Sequence, residues 1–250
     1  MPLEIKLVET IDQMSALSDF MQMIWDEGPD VVPFDLGYAL LHVGGYASLA
    51  YDGDKVVGAS FGARGVFRDQ NILHSHVTAT TVPGVGFELK QHQLSWAREQ
   101  NIPAITWTFD PMVRRNSVFN LVKLGATAVE FLPNFYGTMT DIINFGDQSD
   151  RLMAIWPTAN VKVMPVAEKI ENIALASIND QPKRNDFDDT KPHAIYLPID
   201  IEQLRKTDLA SVQAWRQNVH ELLNQAFTRG AIIDRMVDDR KALLVTPING

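Results

Sequence analysis

Two histidines, one residue apart, precede a glycine turn in the middle of this 250-residue chain. His74 and His76 lie in the stretch HSHVTATTV, which predicts a β-strand with their side chains and that of Thr78 on one face. Because histidine titrates near neutral pH, either ring is a candidate general base that reaches an ammonium substrate through water. The alternative is that both rings are structural and have their hydrogen bonds satisfied.

Metal and cysteine chemistry are disfavoured by the composition. His74 and His76 provide two metal ligands without a convincing third, so no metal site is predicted. The chain contains no cysteine, which excludes disulfides, thiolate nucleophiles and cysteine-based zinc sites.

Gly84 and Gly86 form the turn after this strand, and a helix is predicted to begin at Phe87. A glycine turn that leads into a helix presents backbone N–H groups to an anion such as phosphate. It is not a dinucleotide-binding fingerprint, because Leu89 occupies the position of the third glycine. A purely structural turn is the alternative.

The next predicted strand, Ile105 to Asp110, ends in a carboxylate. Active-site groups collect at the carboxyl ends of strands in open sheets, which makes Asp110 a catalytic candidate. Its alternative role is that of a turn or helix cap before Pro111. Arg114 and Arg115 are candidates for contacts with phosphate or carboxylate groups, although exposed arginines need no function.

The elements that must position these residues alternate between strands and helices. The first 65 residues predict β-α-α-β-β, with a helix from Asp35 to Val43 and a hairpin turn at Asp52-Gly53-Asp54. A helix from Asn116 to Leu124 follows the second core strand. Further strands are then predicted at Val129–Leu132, Thr138–Ile143 and Arg151–Trp156.

From about Val161 the pattern indicates a second αβ unit. Strands are predicted at Val161–Val166, Ile173–Ile178 and Ala194–Leu197, with a polar loop from Pro182 to Asp189. One long helix then carries an apolar face, and two strands, Ala231–Val237 and Ala242–Thr246, complete the chain. The apolar face of the helix consists of Leu204, Val212, Trp215, Val219, Leu222 and Ala226.

Charge and hydropathy limit the partners and the location. The net charge of −9 without a basic run argues against nucleic acid as a partner, although backbone N–H groups still hold an anionic cofactor. No run approaches the roughly 20 apolar residues of a membrane span, and Met1–Glu4 lacks a signal-peptide pattern. We therefore expect a cytoplasmic location. The helix after the glycine turn is apolar on two sides, which is compatible with a homodimer.

Several motifs together resemble a known superfamily. They are HSH at residues 74–76, GVGxxLKxxQ from Gly84, ITWTFDPxxxRNxxFNxxKLGA from Ile105, NFYG from Asn134, and SDR before a strand that ends in tryptophan. This set resembles the GNAT superfamily of N-acyltransferases. Across residues 72 to 156 it resembles an uncharacterised subgroup of predicted GNAT-type acyltransferases with a C-terminal extension.

The resemblance implies an α/β fold with a mixed sheet: a GNAT-like acyl-CoA-binding domain over residues 1–157 and a smaller C-terminal αβ extension over residues 158–250. Acetyl-CoA or another acyl-CoA is then the cosubstrate. Its pyrophosphate would lie on the N–H groups around Gly84 to Glu88, and its pantetheine arm along Val77 to Thr81. The implied cofactor-binding residues are Val77, Thr78, Ala79, Thr81, Gly84, Val85, Gly86, Phe87 and Asn116.

The expected activity is direct attack of a small amine or amino acid on the thioester. His74, His76 and Asp110 are the candidates for its acid–base chemistry. Two positions depart from the superfamily pattern: Thr81 stands where a basic residue is usual, and Leu121 where many members carry an acidic tyrosine. Tyr136, or water, would then protonate the leaving thiolate. The alternative function is a GNAT-fold ligand-binding or regulatory protein that has lost catalysis.

Overall fold

The computed structural model describes residues 3–25, 31–137, 149–159, 165–166 and 169–248, which belong to two compact units. Unit 1 contains residues 3–107 and 157–159 of this set. Unit 2 contains residues 108–137, 149–156 and the described residues from 165 onward. The functional division at residue 157 stays a prediction.

Unit 1 is a mixed sheet with helices on both faces. Its strands are ordered β1-β2-β3-β4-β5; neighbours up to β4 are antiparallel, and β4 and β5 are parallel. The last two residues of β5 belong to unit 2. The elements are β1 (Glu4–Leu7), α1 (Ile11–Trp25), α2 (Phe34–His42), β2 (Tyr46–Asp52), β3 (Lys55–Phe67), β4 (Gln70–Thr80), α3 (Val85–Glu99) and β5 (Ala104–Phe109).

The core of unit 1 lies on the two faces of this sheet. Leu49 packs with Met14 and Leu17 of α1, whereas the next residue, Ala50, packs with Leu89 of α3. Because successive side chains of a strand point to opposite faces, α1 and α3 cover opposite faces of the sheet. The predicted order β-α-α-β-β for the first 65 residues is confirmed.

The strands of unit 2 are hydrogen-bonded in the order β7-β6-β11-β12-β10-β8-β9. β10 and β8 are parallel and the other neighbours are antiparallel. The elements are α4 (Arg114–Ser117), continued by a π-helix (Val118–Lys123), β6 (Thr127–Leu132), β7 (Arg151–Pro157), β8 (Ile173–Ile178), β9 (Gln181–Arg184), β10 (His193–Tyr196), α5 (Ile201–Thr207), α6 (Leu209–Thr228), β11 (Ile232–Val237) and β12 (Ala242–Thr246). The mixed α/β fold class is thus confirmed.

The prediction of one long C-terminal helix is wrong, because the structure has two helices. Asp208 separates α5 from α6, and its side chain accepts a hydrogen bond from the backbone N–H of Ser211 at 3.0 Å. An aspartate at this position satisfies an N–H that a helix start leaves without a partner, which favours a new helix over a continuous one.

The prediction of a polar loop from Pro182 to Asp189 is wrong for its first three residues, whereas residues 185–189 lie outside any helix or strand, as predicted. Residues 181–184 form β9, which pairs with β8 at the edge of the sheet of unit 2. An edge strand tolerates proline and needs no apolar alternation, so its polar sequence was uninformative.

Two predicted strands cannot be compared in full. The strand Thr138–Ile143 and residues 161–164 of the strand Val161–Val166 lie outside the described residues. Within the described part of the chain, no helix is long and apolar enough to cross a membrane.

Candidate functional site

Beyond its first half, β4 has a backbone edge that β5 does not cover. The described pairing of β4 with β5 runs from Ile72↔Ala104 to His74↔Thr106, whereas β4 continues to Thr80. The peptide N–H and C=O groups on this edge from Ser75 onward therefore have no described ladder partner on β5. A strand edge of this kind hydrogen-bonds an extended amide-containing ligand as an additional strand would.

A β-bulge interrupts β4 at His76. Val77 pairs with Phe61 and Ser75 pairs with Gly62, so His76 is an extra residue without a partner on β3. Because of this extra residue, the side chains of β4 after His76 point to the opposite face from the one that strict alternation from His74 predicts.

The prediction that Thr78 shares a face with His74 and His76 is therefore wrong. Ser60, which bonds Thr78 at 2.8 Å, also accepts from Gln93 of α3 at 3.4 Å, so Thr78 faces α3. Ser75 lies on the same side, because it accepts a hydrogen bond from Lys90 of α3. Val77, by contrast, packs in the core on the side of α1.

The glycine turn leads directly into α3. Gly84 is the N-cap residue with φ +89°, and the helix begins at Val85, two residues earlier than predicted. A Cβ added at Gly84 would meet nothing within 4 Å, and one added at Gly86 would meet only Thr80 Cγ2, at 3.6 Å. The space beside the two glycines is therefore open, although the backbone N–H groups of Val85, Phe87 and Glu88 already donate to the carbonyls of Val82 and Gly84.

Three of the predicted cofactor-binding residues, Val77, Ala79 and Thr81, have side chains that contact the protein itself. Thr81 donates its hydroxyl to the carbonyl of Val57 at 3.3 Å, so it does not replace the basic residue of the superfamily loop. Val77 and Ala79 bury their side chains in the core. Because these three side chains contact the protein itself, any contact of these predicted cofactor-binding residues with a ligand would be made by the main chain.

The two histidines of β4 have different environments. His74 Nδ1 lies 3.1 Å from Thr106 Oγ1, and burial, with smaller contributions from His76 and Lys90, lowers the pKa of His74 to about 4. His74 is therefore neutral at pH 7 and a weak base. The exposed ring of His76 donates its Nε2–H to the carbonyl of Val31 at 3.0 Å.

Asp110 in unit 2 has the contacts of a structural carboxylate. It is 4% exposed, and its oxygens accept hydrogen bonds from Arg205 at 3.0 Å and from Arg216 at 3.1 Å. Burial alone would raise the pKa of the Asp110 carboxyl, but Arg216, Arg205 and Arg151 outweigh burial and hold this pKa below its usual value. Asp110 also accepts a hydrogen bond from the backbone N–H of Met112 at 2.8 Å. This contact is the one expected if Asp110 caps a turn, which was the alternative to a catalytic role.

Asn116 is the third residue of α4, so this helix begins two residues before the predicted start. The half-exposed Asn116 lines a groove in unit 2 together with the cations Arg114, Lys123, Arg240 and Lys241. Arg115 lines the same groove and forms an ion pair with Glu202.

Tyr136, the predicted acid for the thiolate, has its hydroxyl 3.2 Å from Thr108 Oγ1 in unit 2. Its ring lies under the guanidinium of Arg151, 5.5 Å from the ring centroid. Leu121, at the usual position of the tyrosine, is fully buried and takes part in the core.

Sequence reasoning missed two titratable groups. Lys90 lies one helical turn before Leu94 on the buried stripe of α3. This helical spacing from an apolar residue was the sequence signal that could have predicted the burial of Lys90. His220 bonds the buried carboxylate of Asp150, 70 residues away, and no local pattern connects them. No group of three or more metal-ligating side chains occurs among the described residues.

No protein-family model and no curated protein matches this chain. Among solved structures, an N-acetyltransferase from Staphylococcus aureus Mu50 is similar at 13% identity and a TM-score of 0.49, over 64% of this chain and 100% of its own. The ribosomal-protein-S18-alanine N-acetyltransferase from Escherichia coli has the same identity and TM-score, over 64% and 97%. FeeM, an N-acyl amino acid synthase from uncultured soil microbes, is similar at 10% identity and a TM-score of 0.47, over 64% and 92%. Likeness at this level assigns no activity.

Proposed function

We propose that the protein is an acyl-CoA-dependent N-acyltransferase of the GNAT type, which transfers an acetyl or succinyl group to a small amine or amino acid. The observation that carries the proposal is the segment from His74 to Gly86: a strand with an uncovered edge and a bulge, followed by a helix start on two glycines. The edge suits the amides of pantetheine, and the helix start suits the pyrophosphate.

The transfer needs no covalent enzyme intermediate. The amine nitrogen attacks the thioester carbonyl carbon, a C–N bond forms, and the C–S bond breaks with its electron pair on the CoA sulfur. The amine loses one proton to a base, directly or through water, and the thiolate gains one from Tyr136 or water. N–H groups of β4 near the bulge at His76 would stabilise the negative oxygen of the intermediate.

Titration calorimetry with acetyl-CoA and succinyl-CoA tests the binding step. We expect saturable binding of at least one ester at micromolar to millimolar concentration, and release of free thiol when an amine is added. If neither ester binds at millimolar concentration, the proposal is wrong.

Gly86→Ala is expected to separate ligand binding from stability. The added Cβ has only an ordinary contact with Thr80 and replaces a glycine inside α3, so the free energy of unfolding should stay equal or rise by up to about 1 kcal/mol. The same methyl group would stand where a pyrophosphate approaches the backbone, so we expect the Kd for acyl-CoA to rise at least tenfold.

Gly65→Ala is the matched control, because its Cβ would meet only Ile72, at 3.5 Å, on β4. This variant should bind acyl-CoA as the unmodified protein does. Unchanged acyl-CoA binding in Gly86→Ala would contradict the assignment of the helix start as the phosphate site.

A binding protein without catalysis is the second candidate, and two observations favour it. Thr81 is bonded to Val57 and adds no charge, and Leu121 is buried where an acid is usual. Acyl-CoA that binds without thiol release, for a panel of amines and amino acids, would support this candidate over the enzyme.

A further inference from the structure

A groove in unit 2 is lined mainly by cations and has the size of a small-molecule site. Its volume is about 700 Å³, within the range of roughly 300–1,000 Å³ that is usual for such sites. Five of its lining residues are cationic and one is acidic, although the whole chain has a net charge of −9. We call it the cationic groove, and its cations are Arg114, Arg115, Lys123, Arg240 and Lys241.

Most of this positive charge is not neutralised by the protein itself. Arg115 forms an ion pair with Glu202. Among the described residues, no carboxylate forms an ion pair with Arg114, Lys123 or Arg240. Cations that lie close together without counter-charges attract an anion of high charge, and a guanidinium binds two phosphate oxygens at once. The groove therefore favours a ligand with more than one phosphate group.

The turn between β11 and β12 positions two of the cations. Asp238, Asp239 and Arg240 all have positive φ, at 48°, 51° and 66°. This conformation is uncommon for residues other than glycine and persists where surrounding contacts fix it. Asp238 accepts a hydrogen bond from the Tyr196 hydroxyl at 2.8 Å, and Lys241 donates its backbone N–H to the carbonyl of Asp238 at 3.2 Å. Arg240 and Lys241 thus extend from a backbone of fixed geometry, which lowers the entropy cost of binding.

The cationic groove also has apolar lining residues. Val118 and Phe119 of the π-helix are half-buried, and Ile199, which precedes α5, is 61% exposed. An aromatic ring and two branched aliphatic side chains favour a ligand with a flat apolar part over a simple inorganic anion.

We propose that the cationic groove binds a nucleoside di- or triphosphate, with the phosphates on Arg114, Lys123 and Arg240 and the base against Phe119 and Ile199. All lining residues belong to unit 2, and neither β4 nor α3 contributes one. The inference therefore does not rest on the proposed acyl transfer. It assigns ligand recognition to the C-terminal extension, to which the superfamily resemblance gives no role.

Titration calorimetry of the full-length protein with ATP, ADP and inorganic triphosphate, in buffer without divalent cations, tests the proposal. We expect ATP and ADP to bind saturably at micromolar to millimolar concentration, and inorganic triphosphate to bind at least threefold more weakly than ATP. The double substitution Lys123→Gln/Arg240→Gln should raise the Kd for ATP at least tenfold, because it removes two charged contacts with phosphate. Ile199→Thr should weaken the binding of ATP and leave that of inorganic triphosphate unchanged. Lys183→Gln/Lys191→Gln is the matched control for the loss of two exposed charges outside the groove, and should change the Kd for ATP less than twofold.

Three results would overturn the proposal. The first is that ATP and ADP do not bind at millimolar concentration, and the second is that the folded Lys123→Gln/Arg240→Gln protein binds ATP as the unmodified protein does. Equal affinity for ATP and inorganic triphosphate, unchanged by Ile199→Thr, would refute the recognition of a nucleoside.

Acyl-CoA is titrated into the same double variant, because Asn116, a predicted cofactor-binding residue, also lines the groove. We expect the Kd for acyl-CoA to change less than threefold. A loss of acyl-CoA affinity as large as that of ATP would assign the groove to the acyl-CoA site and refute a separate nucleotide site. If the unmodified protein binds ATP but no acyl-CoA, the proposed acyl transfer is refuted and the nucleotide site stands.

Discussion

Asp110→Ala is expected to lower the free energy of unfolding by about 3–5 kcal/mol, although Asp110 was a catalytic candidate. The carboxylate lies between the guanidinium groups of Arg205 and Arg216, both of which are about as buried as Asp110 itself. Its removal takes a negative charge away from two guanidinium groups in a site with little water, and that cost exceeds the loss of the hydrogen bonds alone. Urea denaturation followed by circular dichroism at pH 7 measures the change.

The isosteric Asp110→Asn should be nearly as destabilising, because the charge and not the volume compensates the arginines. Glu202→Gln is the matched control: it breaks the ion pair with Arg115, whose side chain is 71% exposed, and should cost less than about 1 kcal/mol. If Asp110→Asn keeps its stability but loses acyl transfer, the catalytic assignment from the sequence is right and the structural one is wrong.

The arrangement of elements in unit 1 could be predicted because its signals are local. A few consecutive residues are enough to predict each of three elements. Alternating residues predict the strand with His74, a glycine predicts the turn at Gly84, and apolar residues at helical spacing predict the helix that follows. For the same reason, the hairpin at Gly53 was predicted correctly.

Local sequence patterns could not predict which face of the sheet the side chains near the site lie on, or which residues they contact. The bulge at His76 is a property of the register between β3 and β4, so a strictly alternating strand placed Thr78 on the wrong face. Similarly, the partners of Asp110 follow it by 95 and 106 residues, and no local pattern indicates that this carboxylate lies among arginines. The roles of the site residues depend on such contacts, and they stay predictions until they are tested by substitution.

Lys90 is a buried cation whose partners carry no charge. It is 5% exposed; its Nζ donates to Ser75 Oγ at 2.8 Å and to Gln93 Oε1 at 3.3 Å, and lies 4.1 Å from the ring centroid of Trp107. Burial lowers the pKa of the Lys90 amine from 10.5 to about 7. The folded state therefore disfavours the ammonium form relative to the unfolded chain, in which the amine keeps its ordinary pKa.

The direction of the pH effect follows from proton binding. Between about pH 7 and 10.5 the unfolded chain binds the proton more than the folded protein does, so the contribution of Lys90 to stability rises with pH in this window. Below about pH 7 both states are protonated and the contribution is constant and unfavourable. Its size is on the order of 5 kcal/mol, since a tenfold change in a protonation equilibrium is worth about 1.4 kcal/mol.

Lys90→Met should therefore stabilise the protein, by about 1–4 kcal/mol at pH 6, because the thioether side chain keeps the volume and removes the buried charge, at the loss of two hydrogen bonds. The advantage over the unmodified protein should shrink as the pH is raised from 7 to 10. Urea titrations of both proteins at several pH values measure this difference, in which the contributions of other groups largely cancel. Lys55→Met, at an exposed lysine of β3, controls for the loss of one positive charge from an acidic chain. A Lys90→Met protein that is less stable than the unmodified one at pH 6 would show that the ammonium group is stabilised by its neutral partners despite its burial.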